Sequence, residues 1–153
     1  MSIALGQPAP AFSLPGDDGP VSLDQYLGRR LVLYFYPKDD TSGCTSEAKA
    51  FRDLYPQFVA ANGDILGVSR DGVASHVKFR AKHALPFRLV SDAEGTLCEA
   101  CGVWKQKSMY GRTYMGIERT TLLIDEAGLV RQVWAKVKVG GHAEAVLEAL
   151  KAL

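Results

Sequence analysis

No run in the sequence approaches the ~20 consecutive apolar residues that a membrane-crossing helix needs. Cysteine is scarce: Cys44, Cys98 and Cys101 are the three in 153 residues. Three is an odd number in a chain long enough to build a core without staples, so a disulfide framework is excluded and a reducing, cytosolic setting is expected. Metal-ligand spacing is missing too. His76, His83 and His142 stand far apart and no second cysteine pair accompanies Cys98 and Cys101, so neither zinc nor any other metal or cofactor is expected. A charge of one sign is also lacking: 18 basic residues meet 17 acidic ones, a net of +1. No whole-chain field therefore draws the protein onto nucleic acid or anionic lipid, and small molecules or proteins are the expected partners. The segment Met1 to Pro10 has no basic stretch followed by an apolar one and reads as a mature end, not a signal peptide. Repeats, linkers and low-complexity tracts are absent. With 47% hydrophobic and 23% charged residues, the composition fits one globular domain spanning residues 1–153.

What is there alternates between strand and helix. Ala11 to Leu14 and Val21 to Leu23 flank the turn-rich Pro15-Gly16-Asp17-Asp18-Gly19-Pro20 segment, which predicts an N-terminal hairpin, followed by a brief helix over Asp24 to Leu27. Leu31 to Tyr36 is an unbroken apolar run closed by Pro37, the pattern of a central strand covered on both faces. From Thr45 to Asn62, Ala48, Phe51, Tyr55, Phe58 and Val59 recur at helical spacing before Gly63, and Pro56 is expected to kink this helix without ending it. Ile65 to Ser69 and Phe87 to Val90 read as strands on either side of a helix over Val73 to Ala84, and the β-α-β-α-β order implies parallel pairing. Thr120 to Asp125 and Leu129 to Ala135 form a hairpin around Glu126-Ala127-Gly128, and Ala143 to Leu153 closes the chain as an amphipathic helix. These elements predict an α/β, thioredoxin-like fold, with a central mixed sheet flanked by helices on both faces.

The segment Tyr34-Phe35-Tyr36-Pro37-Lys38-Asp39-Asp40-Thr41-Ser42-Gly43-Cys44-Thr45 carries the chemistry. It runs from a buried strand through a loop into a helix, so Cys44 lands where free backbone N–H groups and the positive helix end favour a thiolate, the nucleophilic form. Thr41 precedes it by one helical turn and can turn its hydroxyl toward the same space. Pro37 offers an apolar wall with no competing N–H. Arg119, at the start of the Thr120 strand, is the candidate donor for negative charge building on a departing oxygen, because a guanidinium aims several donors in one plane. The competing reading for Cys44 is a buried structural cysteine, for Thr41 a helix cap, and for Arg119 a solvated surface charge.

Tyr-Pro-Lys-Asp-Asp-Thr-Ser-Gly-Cys-Thr resembles the active-site signature of the peroxiredoxins, in particular the Q-type or bacterioferritin-comigratory group. Ile65 to Asp71, Ser108 to Arg112, Gly116 to Arg119 and Lys136 to Val139 extend the resemblance along the chain. It implies a thiol peroxidase in which Cys44 becomes a sulfenic acid while Thr41 and Arg119 polarise the peroxide and Pro37 shields the intermediate. Hydrogen peroxide and organic hydroperoxides are the implied substrates. Thioredoxin is the implied reductant, glutathione or glutaredoxin the alternative, and a monomer the expected state. Ser42 departs from the group's usual proline, and the usual resolving-cysteine positions hold Lys49 and Arg80. Cys98 and Cys101, one helical turn apart, either resolve Cys44 after local unfolding or are buried packing residues, in which case an external thiol is required. Two other classes stand beside this reading: a dithiol oxidoreductase using Cys98 and Cys101, and a non-catalytic binding or holdase module.

Overall fold

The computed structural model describes residues 3–153; Met1 and Ser2, which open the segment read as a mature N-terminus, lie outside the described residues. The strands are β1 (Ser13–Gly16), β2 (Gly19–Ser22), β3 (Arg30–Phe35), β4 (Gly63–Ser69), β5 (Arg88–Ser91), β6 (Trp104–Met109), β7 (Arg112–Ile117), β8 (Thr120–Ile124) and β9 (Val130–Trp134). The helices are α1 (Ser42–Ala60), α2 (Val73–Lys82), α3 (Thr96–Ala100) and α4 (His142–Lys151), with a short 3-10 turn at Leu23–Tyr26.

β3 is central because its residues are apolar at successive positions, so both of its faces need cover. It pairs in parallel with β4 and antiparallel with β8, and β4 pairs in parallel with β5. The full sheet runs β2-β1-β5-β4-β3-β8-β9. Side chains alternate along β3, and two separate cores follow. Leu31, Leu33 and Phe35 face a cluster that contains Leu97, Cys98 and Cys101 of the α3 segment, together with Tyr26. Val32, Tyr34 and Tyr36 face the other side, where Cys44, Phe51 and Phe58 of α1, Phe79 of α2 and Val146 and Leu147 of α4 pack. Each such aromatic or aliphatic side chain, fully buried, contributes about 1.5–3 kcal/mol by leaving water. The expected mixed sheet with helices on both faces is therefore present, with three long helices on one side and the short α3 on the other.

Three details differ from the sequence reading. The N-terminal hairpin turns more tightly: Pro15 and Pro20 stand opposite each other in the ladder, and Asp17 and Asp18 alone make the turn. A pair of residues without N–H groups fits the non-hydrogen-bonded position of an antiparallel ladder. The long helix begins at Ser42, three residues earlier than its apolar spacing indicates, although it continues through Pro56 as expected. Val59, read as part of its apolar stripe, is 50% exposed. Finally, β6 and β7 form a two-stranded ribbon of their own around Tyr110-Gly111, both with positive φ, the requirement of a tight hairpin turn.

Candidate active site

The end of β3 and the first turn of α1 are joined by Tyr36 to Thr41. Thr41 is the residue that precedes the helix, in extended conformation, and its carbonyl accepts the first helical hydrogen bond from Thr45 N at 2.8 Å. Cys44 is the third helical residue and only 2% exposed. The N–H groups of this first turn have no intrahelical acceptor, so the thiol lies in the positive field of the helix end. Ser42 occupies the first helical position, where proline and serine are both accommodated because that N–H is unused.

The loop is braced from below. Asp39 accepts from Tyr36 Oη at 2.6 Å and Ser75 Oγ at 2.8 Å, and pairs with His76 Nδ1 at 2.7 Å, while His76 Nε2 faces the Val90 carbonyl at 2.9 Å. Burial pushes the Asp39 carboxyl up, but the hydrogen bonds from His76, Tyr36 and Ser75 and the charge of His76 outweigh it and hold it below its usual value. This network ties the loop before Cys44 to α2. The Thr41 hydroxyl donates to the Lys38 carbonyl at 2.8 Å. Its hydrogen is thus committed to the loop, and what it turns toward an incoming group is acceptor lone pairs rather than a donor to the sulfur.

Arg119 arrives from the opposite direction. Thr120 pairs with Phe35 across β8 and β3, so the residue before Thr120 stands beside the end of β3 as the sequence reading expected. Its Nη2 donates to Cys44 Sγ at 3.4 Å, and its Nη1 donates to Glu47 Oε1 at 2.6 Å. Burial works against the guanidinium's charge, yet Glu47 and Cys44 together raise its pKa further. Glu47 itself was not singled out from sequence. It lies one helical turn beyond Cys44, is 1% exposed, and burial raises its carboxyl to about 7 against the pull of Arg119. Gly43 leaves room for this arrangement: a Cβ there would lie 3.2 Å from Arg119 Nη2. Pro37, half-buried, forms part of the wall of an adjoining cavity.

The remaining thiols are elsewhere. Cys98 and Cys101 share one apolar cluster, as their spacing predicts, but it lies on the face of the sheet opposite Cys44. Both are free and buried. Burial, aided by nearby Asp92, raises the Cys101 thiol to about 12 and Cys98 higher still. Such thiols are protonated at neutral pH and are poor nucleophiles. Lys49 is exposed, and Arg80 pairs with Asp17 at 2.7 Å. Among the described residues no group of three His, Cys, Asp or Glu side chains could hold a metal ion, and no helix is long and apolar enough to cross a membrane.

A sheet of this order, with a lone buried cysteine in the first turn of the helix after its central strand and a guanidinium against the sulfur, defines a thiol enzyme of the thioredoxin-like class. The comparisons narrow it. The model of the AhpC/TSA family matches residues 5–133. The chain is 52% identical over 148 residues to a putative peroxiredoxin bcp of Coxiella burnetii, covering 96% of this chain and 98% of that protein. It is 50% identical over 152 residues to peroxiredoxin Bcp of Bacillus subtilis, covering 99% and 97%. Among solved structures, a variant of Xanthomonas campestris peroxiredoxin Q superposes with a TM-score of 0.91 at 49% identity, covering 99% of each chain. The chain belongs to the AhpC/TSA family and has the thioredoxin-like fold of the peroxiredoxins.

Proposed function

We propose that this peroxiredoxin, a thiol peroxidase that consumes a hydroperoxide at the expense of a thiol, works through Cys44, with Arg119, Thr41 and Pro37 around it. The Cys44 thiolate attacks the nearer oxygen of the O–O bond. An S–O bond forms, the O–O bond breaks, and the departing alkoxide or hydroxide takes a proton and leaves as alcohol or water. The Arg119 guanidinium, 3.4 Å from Sγ and held by Glu47, stabilises the thiolate first and the leaving oxygen as charge moves onto it. Thr41 accepts the peroxide hydrogen, since its own is given to Lys38. Pro37 walls off water. The contact between Arg119 and Cys44 is the observation that carries this reading, because two groups far apart in sequence meet at one sulfur.

Cys44 is nearly closed to solvent, so the terminal O–O unit is what must reach it, and hydrogen peroxide and small alkyl hydroperoxides both serve as substrates. Alkyl peroxide reduction is an activity described for the bacterioferritin comigratory protein of Xanthomonas campestris, 51% identical to this chain. The sulfenic acid is resolved by an external thiol, supplied by thioredoxin or by glutathione or glutaredoxin. This is supported by the placement of Cys98 and Cys101 behind the sheet. The enzyme acts as a single-domain monomer in the cytosol. Peroxide consumption with an excess of thiol tests the assignment: Cys44→Ser abolishes turnover, whereas a dithiol oxidoreductase would tolerate that change and depend on Cys98 and Cys101.

A further inference from the structure

A cavity of about 510 Å³ opens beside the loop that leads to Cys44, with Pro37 and Lys38 of that loop in its wall. Its floor is aromatic, from Trp104 and Tyr114, and three cations line it: Lys38, Arg70 and Lys107. Among the described residues no acidic side chain lines it. Arg70 is fixed in place, its guanidinium 4.4 Å over the Trp104 ring and its Nε and Nη2 donating to the Ala93 carbonyl at 3.3 and 2.8 Å. Its remaining Nη1 is free of any partner among the described residues. Lys38 and Lys107 likewise make no ion pair among them. Lys107 is close enough to the reacting groups to feel both Arg119 and Cys44, and burial and Arg119 together lower its pKa, while Glu118 acts in the opposite direction. Cations without an ion-pair partner, gathered in a concave site, are matched by an anionic ligand.

The chain offers no thiol on this side of the sheet to resolve Cys44, so the second sulfur comes from outside. We infer that this cavity is the docking site of the reductant, and that the reductant is a small thiol bearing carboxylates, which Lys38, Arg70 and Lys107 orient so that its sulfur meets Cys44 past Pro37. The inference rests on the assignment of Cys44 as the thiol that becomes a sulfenic acid. The reductant's thiolate attacks the Cys44 sulfenic sulfur, an S–S bond forms, the S–O bond breaks, and the oxygen leaves with two protons as water. A second molecule of the same thiol attacks the outer sulfur, releasing the Cys44 thiolate and the oxidised disulfide of the reductant. A volume near 500 Å³ falls within the range of sites for ligands of tripeptide size, whereas a protein dithiol would need a broad surface.

Glutathione and its diethyl ester separate the carboxylates from the sulfur and serve as probes. Cys44 sulfenic acid is first formed with one equivalent of peroxide and quantified in a separate aliquot by dimedone capture. Its decay is then followed by Trp104-sensitive fluorescence against each thiol, with rates normalised to thiolate fraction. Glutathione is expected to react about tenfold faster than the diester, a preference that high salt erases. In the double variant Lys38→Gln, Lys107→Gln the ratio of the two thiols is expected to fall to about one. Equal rates for acid and diester in the native protein, or an undiminished ratio in the double variant, would overturn the inference while leaving sulfenic acid formation standing. Failure to form sulfenic acid on Cys44 at all would instead remove the assignment beneath it. A carboxylate preference confined to the peroxide step, seen as faster oxidation by an acid-bearing hydroperoxide than by its ester with no difference between the two thiols, would assign the cavity to the oxidant and also overturn it.

Discussion

The buried carboxyl of Glu47 gives a prediction whose size can be worked from the structure. In the folded protein burial holds its pKa at about 7, against 4.5 for an ordinary glutamate. Between those values the unfolded chain has released its proton while the folded one retains it. Stability therefore falls as pH rises through this window, by about 1.4 kcal/mol per pH unit, and by about 3 kcal/mol across it. Below pH 4.5 both states are protonated and above pH 7 both are ionised, so the contribution is flat on either side. Glu47→Gln keeps the shape and an acceptor for Arg119 but has no proton to lose. The stability of this variant relative to the native protein should thus rise by about 3 kcal/mol between pH 4 and pH 8, whatever its offset at either end. Other titrating groups are common to both proteins and cancel. Urea unfolding followed by circular dichroism at intervals of pH measures this, and with an m-value of about 2 kcal/mol/M the gap between midpoints moves by about 1.5 M. Parallel stability curves would refute the reasoning. A variant that grows relatively weaker toward alkaline pH would refute it more strongly, by showing that Arg119 overcomes the burial of the carboxylate.

Arg119→Ala should slow sulfenic acid formation, measured by stopped flow with hydrogen peroxide, by about 30- to 1000-fold, since a charge-assisted contact of this kind supplies about 2–4 kcal/mol to a transition state. Gly43→Ala should slow the same step by a smaller factor while leaving thermal stability nearly unchanged, because the added methyl displaces Arg119 Nη2 by a few tenths of an ångström without touching the core. Asp39→Ala should cost about 3 kcal/mol in a denaturant titration, as it strips the acceptor from buried Tyr36 and His76 and leaves two buried polar groups unsatisfied.

Much of the fold and the site could be read before any coordinates. Leu31 to Tyr36 announced a central strand because six apolar residues in succession leave neither face for water, and the β3-α1-β4-α2-β5 order followed from the alternating periods around it. Cys44 stood out through position, at the entrance of the helix that follows the central strand. The β6–β7 ribbon escaped notice because its residues are mostly exposed, so burial imposed no alternation on them. Its one local sign was Tyr110-Gly111, a pair able to hold two successive positive φ angles. The start of α1 reads late because Ser42 and Gly43 carry no apolar marker. Glu47 was missed for a related reason: hydrophobic spacing registers apolar residues, whereas the informative feature was a charge within the stripe of Cys44, Ala48 and Phe51. The direction of the Thr41 hydroxyl depends on where the Lys38 carbonyl points, a property of the loop that residue types alone do not encode.

The most direct test of the account follows oxygen to sulfur. One equivalent of hydrogen peroxide is added to the reduced protein in the presence of dimedone, and the adduct is mapped by peptide mass spectrometry. A single adduct on Cys44, absent from the Cys44→Ser variant and never found on Cys98 or Cys101, is the predicted outcome. An adduct on either of the latter with Cys44 untouched, or undiminished peroxide consumption by the Cys44→Ser variant, would contradict it.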